Sequence, residues 1–126
     1  MTREHPRLLV VEDDAALQKV LAMRLQIDGF EVDTAGDGEE ALEAIRANRP
    51  DLVLTDLMMP QMDGAELTRA IKSDPDLRAI PVMVLTALKA QREREHLLSL
   101  GADAFAAKPY NSAELTARIR ELLERA

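Results

Sequence analysis

Residues 52–66 read LVLTDLMMPQMDGAE, and the order of residue types in that stretch decides the fold class. Leu52 to Leu54 form a short apolar run with no alternation, the pattern of a strand buried on both faces of a parallel sheet. Asp56 follows that run. Asp63 and Glu66 then stand at the spacing of a capping box, ahead of a helical pattern. A buried strand, a loop and a helix start within fifteen residues make one βα unit.

The same unit recurs outward in both directions. Leu8 to Val11, Phe30 to Thr34, Val82 to Leu85 and Ala104 to Ala107 are further candidate strands. The first and fourth of the five runs are as continuous as the third, whereas Glu31 and Asp33 interleave the second, which reads as an edge. Between the runs lie helical stripes: Leu17, Val20, Leu21 and Leu25 toward the N-terminus, and Leu115, Ile119 and Leu122 toward the C-terminus, each expected to pack on a sheet face. Asp37 with Glu40 and Asn111 with Glu114 repeat the capping spacing. Gly29 and Gly101 follow helical patterns where a left-handed residue is needed. The segment from Ala90 to Leu100 offers few apolar side chains beside its block Arg92 to Glu95, so its helix is expected to be loosely held. Strands alternating with helices imply right-handed crossovers and a doubly wound parallel sheet in one domain, residues 1–126, with an ordered core over about 7–124.

Composition excludes several functions. The chain has 126 residues, 16 Lys and Arg against 23 Asp and Glu, a net charge of −7 and no Cys. A phosphate backbone would be repelled, and three aromatic residues, Phe30, Phe105 and Tyr110, supply no stacking platform. No nucleic-acid binding by this domain is expected. Without Cys there is no disulfide framework, thiolate chemistry or sulfur-ligated metal, which fits a cytoplasmic setting. Met1 to Arg7 lacks the layout of a signal peptide, and no run is long enough to span a membrane.

In doubly wound sheets, ligands bind beyond the carboxyl ends of the strands. Those ends carry Glu12, Asp13 and Asp14, then Asp56, Thr86 and Lys108. Converging carboxylates repel one another unless they share a cation, and oxygen-only ligands point to Mg²⁺ or Mn²⁺. A carboxylate beside such a cation can attack a phosphoryl group, with Lys108 and Thr86 to hold two of the transferred oxygens. Asp14 is better read as the N-cap of the first helix. Met58, Met59 and Met62 read as apolar filling of an irregular loop, and His5 and His96 are assigned no chemistry.

At these residues the chain resembles the receiver domains of two-component response regulators over essentially its whole length. Val10-Val11-Glu12-Asp13-Asp14 is similar to that family's acidic motif. Asp56 to Pro60 with Met62-Asp63-Gly64 is similar to its phosphoacceptor loop, and Leu85-Thr86-Ala87 and Lys108-Pro109 to its fourth- and fifth-strand motifs. The resemblance implies a flavodoxin-like (β/α)₅ fold with strand order 2-1-3-4-5 and helices on both faces. It implies Asp56 as phosphoacceptor, Glu12, Asp13, Asp56 and the Met58 backbone carbonyl around Mg²⁺, and Thr86 and Phe105 as the switch. The Lys108-Pro109 bond would be cis.

The implied function is phosphoryl transfer from a histidine kinase or phosphotransfer protein to Asp56, relayed by a change of shape to a downstream protein or output domain, without enzymatic turnover. Met58 and Leu88 occupy the positions that modulate hydrolysis in the family, and neither can orient an attacking water, so slow self-dephosphorylation is expected. Asp103, Glu114 and Arg118 match part of a dimer surface on the fourth helix, fifth strand and fifth helix, but Ala104 replaces an acidic residue there. Three other readings compete: a flavin module, disfavoured by the acidic first loop; a phosphatase using Asp13 or Asp14, for which no substrate cap is present; and a receiver-like interaction module that no longer takes phosphate.

Overall fold

The computed structural model describes residues 5–57, 59, 62–86, 91–108 and 111–125, with side chains from 94 onward in the fourth helix. Five strands, β1 (Arg7–Val11), β2 (Glu31–Ala35), β3 (Leu52–Asp56), β4 (Val82–Thr86) and β5 (Ala104–Ala107), alternate with five helices, α1 (Ala15–Ile27), α2 (Gly38–Ala47), α3 (Gly64–Ser73), α4 (Gln91–Ser99) and α5 (Ser112–Arg125). All strand pairs are parallel, in the order β2-β1-β3-β4-β5. This is the doubly wound order that the sequence resemblance implied. The interleaved acids of β2 are explained by its place at an edge.

Side-chain alternation divides the strands between two cores. Leu9, Val11, Val53, Val82 and Val84 face Ile45 of α2, Leu67 and Ile71 of α3 and Leu97 of α4. Leu8, Val10, Leu52, Leu54, Met83 and Leu85 face Leu21 and Leu25 of α1 and Leu115, Ile119 and Leu122 of α5. The central strands carry unbroken apolar runs, Leu8–Val11, Leu52–Leu54 and Val82–Leu85, because both faces are covered. Each fully buried Leu or Val contributes about 1.5–3 kcal/mol against the entropy of ordering the chain.

Helix boundaries follow the caps. Asp14 accepts from the amides of Ala16 (3.0 Å) and Leu17 (3.1 Å). Asp37 accepts from Glu40, Asp63 from Glu66 and Asn111 from Glu114. Gly29 and Gly101 adopt φ of 100° and 103°, where a side chain would be strained.

Two expectations need correction. In the α1 stripe, Leu21 and Leu25 are buried together with Ala22, but Leu17 and Val20 are 54% and 64% exposed. The helix turns its Leu21–Ala22–Leu25 side to the sheet, which carries positions 17 and 20 around to solvent. The third and fourth strands also extend past their apolar runs, so Asp56 and Thr86 are the last strand residues and not the first loop residues. In α4, Leu97 is the buried residue among the described side chains.

Candidate functional site

Register gathers the site. Val11 lies opposite Thr55, which sets Glu12 beside Asp56. Asp56 lies opposite Leu85, one residue before Thr86, and Thr86 lies opposite Ala107, one residue before Lys108. Four strand ends therefore meet at one edge, three of them adjacent to β3 or one strand removed.

Asp56 is 8% exposed and sits at the centre. Its Oδ1 accepts a hydrogen bond from the Leu57 amide at 3.0 Å and lies 2.8 Å from Lys108 Nζ. Its backbone carbonyl accepts a bond from the Thr55 hydroxyl at 2.9 Å, directly after the Leu52–Leu54 apolar run of the same strand. Gly64 closes the loop from the other side: its amide donates to the Leu57 carbonyl at 2.8 Å, and a Cβ there would run into the Asp56 carbonyl oxygen. Strand end and helix start are thus held together directly beneath the carboxylate.

Around Asp56, one carboxylate oxygen each from Glu12, Asp13 and Asp56 lie within 4.8 Å of one another. Glu12 is buried and Asp13 exposed, so the cluster opens to solvent on one side. Lys108 Nζ is 3.8 Å from Glu12 Oε1 as well, a single ammonium facing two of the three acids. The consequence shows at Glu12. Burial first, then its hydrogen bond to Asp56 and the Asp56 charge, push its pKa from 4.5 up to about 7, with Lys108 opposing. Such a cluster can hold a metal ion, and hard oxygen donors suit a hard divalent cation.

Thr86 is buried at the end of β4, and its carbonyl accepts from the Lys108 amide at 2.9 Å. Phe105 lies opposite Val84, two residues from Thr86 along the sheet and on the same face, and is half-buried against the α2–α3–α4 core. Asp14 stands outside the cluster as the α1 cap. Asp103 is held within the domain by Lys72 at 2.8 Å and by the Val82 amide at 2.8 Å. Met58, Leu88, Pro109 and Tyr110 lie outside the described residues.

Sequence reasoning missed the Thr55 hydroxyl and the packing role of Gly64. The second had a signal: a glycine in the first turn of a helix, where almost any residue is tolerated, points to a close approach. It also missed that α1 presents Leu17, Val20, Met23 and Ile27 to solvent, each more than half exposed.

Response regulator MprA of Mycobacterium sp. (strain KMS) is 45% identical over 119 residues, which is 94% of this chain and 51% of MprA. The probable transcriptional regulator ycf27 of Pyropia yezoensis is 41% identical over 126 residues, 100% of this chain and 51% of that protein. The chain spans about half the length of these relatives. Among solved structures, the receiver domain of a histidine kinase from Syntrophus aciditrophicus superposes with a TM-score of 0.89 at 36% identity, covering 96% of this chain and 92% of that one. Chemotaxis response regulator CheY4 of Vibrio cholerae does so with a TM-score of 0.87 at 28% identity, covering 93% and 98%. The family model for the response regulator receiver domain matches residues 8–120. That span takes in every residue of the strand-end constellation, and the chain belongs to the receiver-domain family of two-component response regulators.

Proposed function

We propose that the chain takes a phosphoryl group onto Asp56, with a Mg²⁺ ion held by Glu12, Asp13, Asp56 and the Met58 carbonyl, and signals through Thr86 and Phe105. The observation that carries this reading is the Lys108 ammonium 2.8 Å from Asp56 Oδ1 in the midst of the three-carboxylate cluster. A structural ion pair would need neither the second and third acids nor the sheet-edge opening. The carboxylate donors suit Mg²⁺, with Mn²⁺ the alternative. When bound, the ion neutralises charge on the transferred phosphoryl oxygens.

The protein's own groups account for the rest. The Leu57 amide and Lys108 fix Asp56 Oδ1, which leaves Oδ2 to attack phosphorus. The new bond is O–P and the bond broken is P–N of a phosphohistidine, whose imidazole leaves with the electron pair. Lys108 then pairs with one phosphoryl oxygen and the Thr86 hydroxyl donates to another. Thr86 and Phe105 share a sheet face, so inward movement of the first opens space for the second ring. The shift in population is read out on α4, β5 and α5. The reaction is stoichiometric and is not an enzyme's turnover.

The partners are a histidine kinase or phosphotransfer protein upstream and an output domain or separate protein downstream, in the cytoplasm. Among the described residues no helix is long and apolar enough to cross a membrane. Helix α1, which carries the exposed stripe, starts just after its cap Asp14, whose amide lies 3.5 Å from Glu12 Oε2, so a helical phosphodonor packed on Leu17 and Val20 would bring its imidazole to the site. Dimerisation through α4, β5 and α5 would use Leu98 and Arg118, since Asp103 is already paired with Lys72 and Glu121 with Arg125.

Calorimetric titration with Mg²⁺, with Asp13→Asn alongside, tests the donor set. Stoichiometric Mg²⁺ binding that weakens in the variant, together with Mg²⁺-dependent uptake of one phosphoryl group from acetyl phosphate, is expected. Folded protein that binds no Mg²⁺ and takes up no phosphoryl group would instead mark an interaction module that has kept its acids.

A further inference from the structure

Gly38 opens α2, far from Asp56 in sequence, yet it is buried against the loop that leaves Asp56. Its amide donates a 3.0 Å hydrogen bond to the carbonyl of Met62. A Cβ built on Gly38 would lie 2.6 Å from both Cβ and Cγ of Met62 and 2.7 Å from the Met62 carbonyl oxygen. Real side-chain contacts do not reach such distances, so any other residue must push Met62 away. The first amides of a helix have no partner within it. Here one of them is spent on the phosphoacceptor loop, and the absence of a side chain lets the two backbones meet. Met62 in turn is followed by Asp63, the α3 cap, and Gly64, which is locked to Leu57 and Asp56.

From this contact we infer that Gly38 is a positioning residue for the metal and phosphoryl site, acting through Met62. The inference rests on the proposed Mg²⁺-dependent phosphoacceptor role of Asp56. The Gly64–Leu57 bond ties the start of α3 to the end of β3, and the Gly38–Met62 contact holds Met62, two residues before Gly64, against the start of α2. Displacing Met62 pushes on Asp63 and Gly64, and through the Gly64–Leu57 bond and the tight Gly64 approach to the Asp56 carbonyl it shifts Asp56 relative to Glu12 and Asp13, which lowers metal affinity. Gly36 serves as an internal control. It lies two residues earlier in the same connection, its Cβ would meet only the end of the flexible Glu40 side chain at 3.3 Å, and its φ is not left-handed.

The test compares the unaltered protein, Gly38→Ala, Gly36→Ala and the double variant Gly38→Ala/Met62→Gly by calorimetric Mg²⁺ titration, with helix content checked by circular dichroism. Gly38→Ala is expected to raise the Mg²⁺ dissociation constant on the order of tenfold, the usual cost of disturbing a supporting contact at a metal site. Its phosphorylation by acetyl phosphate should recover at saturating Mg²⁺. Gly36→Ala should match the unaltered protein, and Met62→Gly should restore part of the lost affinity by making room for the new methyl group. If Gly38→Ala alone does not fold, recovery of both folding and Mg²⁺ binding in the double variant supports the inference, and failure to recover either overturns it. Folded Gly38→Ala with unchanged Mg²⁺ affinity overturns it outright. Failure of the unaltered protein to bind Mg²⁺ would instead strike at the proposed function.

Discussion

Replacing Glu12 with Gln should make the protein more stable at mildly alkaline pH when a chelator is present, an unusual direction for a change at a buried position. Glu12 is buried beside Asp56 and Asp13, with the Lys108 ammonium facing Glu12 and Asp56, and burial first, then the neighbouring carboxylates, hold the Glu12 proton up to about pH 7. Relative to 4.5, that rise corresponds to roughly 3 kcal/mol at about 1.36 kcal/mol per unit, and solvent screening at the open side of the cluster reduces it to about 1–3 kcal/mol. The folded pKa lies above the unfolded one. The folded state therefore gains from the Glu12 proton fully below about pH 4.5 and loses that gain as pH rises through about 7. Gln cannot ionise and escapes the loss. Urea denaturation with a chelator should show the two proteins equal near about pH 4, with Glu12→Gln ahead by about 1–3 kcal/mol near about pH 8. Saturating Mg²⁺ should reverse the order at the higher pH, because the ionised carboxylate then has a partner that stabilises only the folded state. A stability difference that stays flat across this pH range would refute the reasoning, since the cluster would then not be under electrostatic stress.

Further predictions follow from single contacts. Asp14→Ala removes the acceptor for two α1 amides and should lower stability by about 1 kcal/mol in chemical denaturation, with Mg²⁺ affinity little changed. Leu17→Ser with Val20→Ser, on the exposed face of α1, should leave both stability and acetyl phosphate uptake within error of the unaltered protein while slowing transfer from a phosphohistidine donor protein; equal transfer rates would remove α1 as the docking face. Met58→Asn with Leu88→Glu should shorten the lifetime of the phosphorylated form by helping to orient an attacking water, as followed by loss of the phosphoryl mass; an unchanged lifetime would contradict that role.

Most of the fold was legible because it rests on local signals that tertiary context reinforces. The unbroken apolar runs of β1, β3 and β4 could be buried only between two layers, and Asp37, Asp63 and Asn111 each cap the helix that their spacing announced. Helix orientation was less legible. In α1 apolar residues lie nearly all the way round, so periodicity selected Leu17 and Val20 where the packing selected Leu21, Ala22 and Leu25.

The strand-end acids, Thr86 and Lys108 could be named from the sequence because strand order brings every carboxyl end to one edge. What supports them could not. The Thr55 hydroxyl, the Gly64 approach to Asp56 and the Gly38–Met62 contact depend on distances between backbones separated by a loop or a whole helix. A glycine in a first helical turn is the only trace such contacts leave in the chain itself.

The central claim is that Asp56 is the phosphoacceptor, and intact-mass measurement after incubation with acetyl phosphate and Mg²⁺ tests it most directly, with Asp56→Asn as the comparison. The account predicts one phosphoryl adduct on the unaltered protein, none when Mg²⁺ is chelated and none on Asp56→Asn. An adduct that persists at equal level in folded Asp56→Asn, or none on folded protein with Mg²⁺ bound, would contradict it.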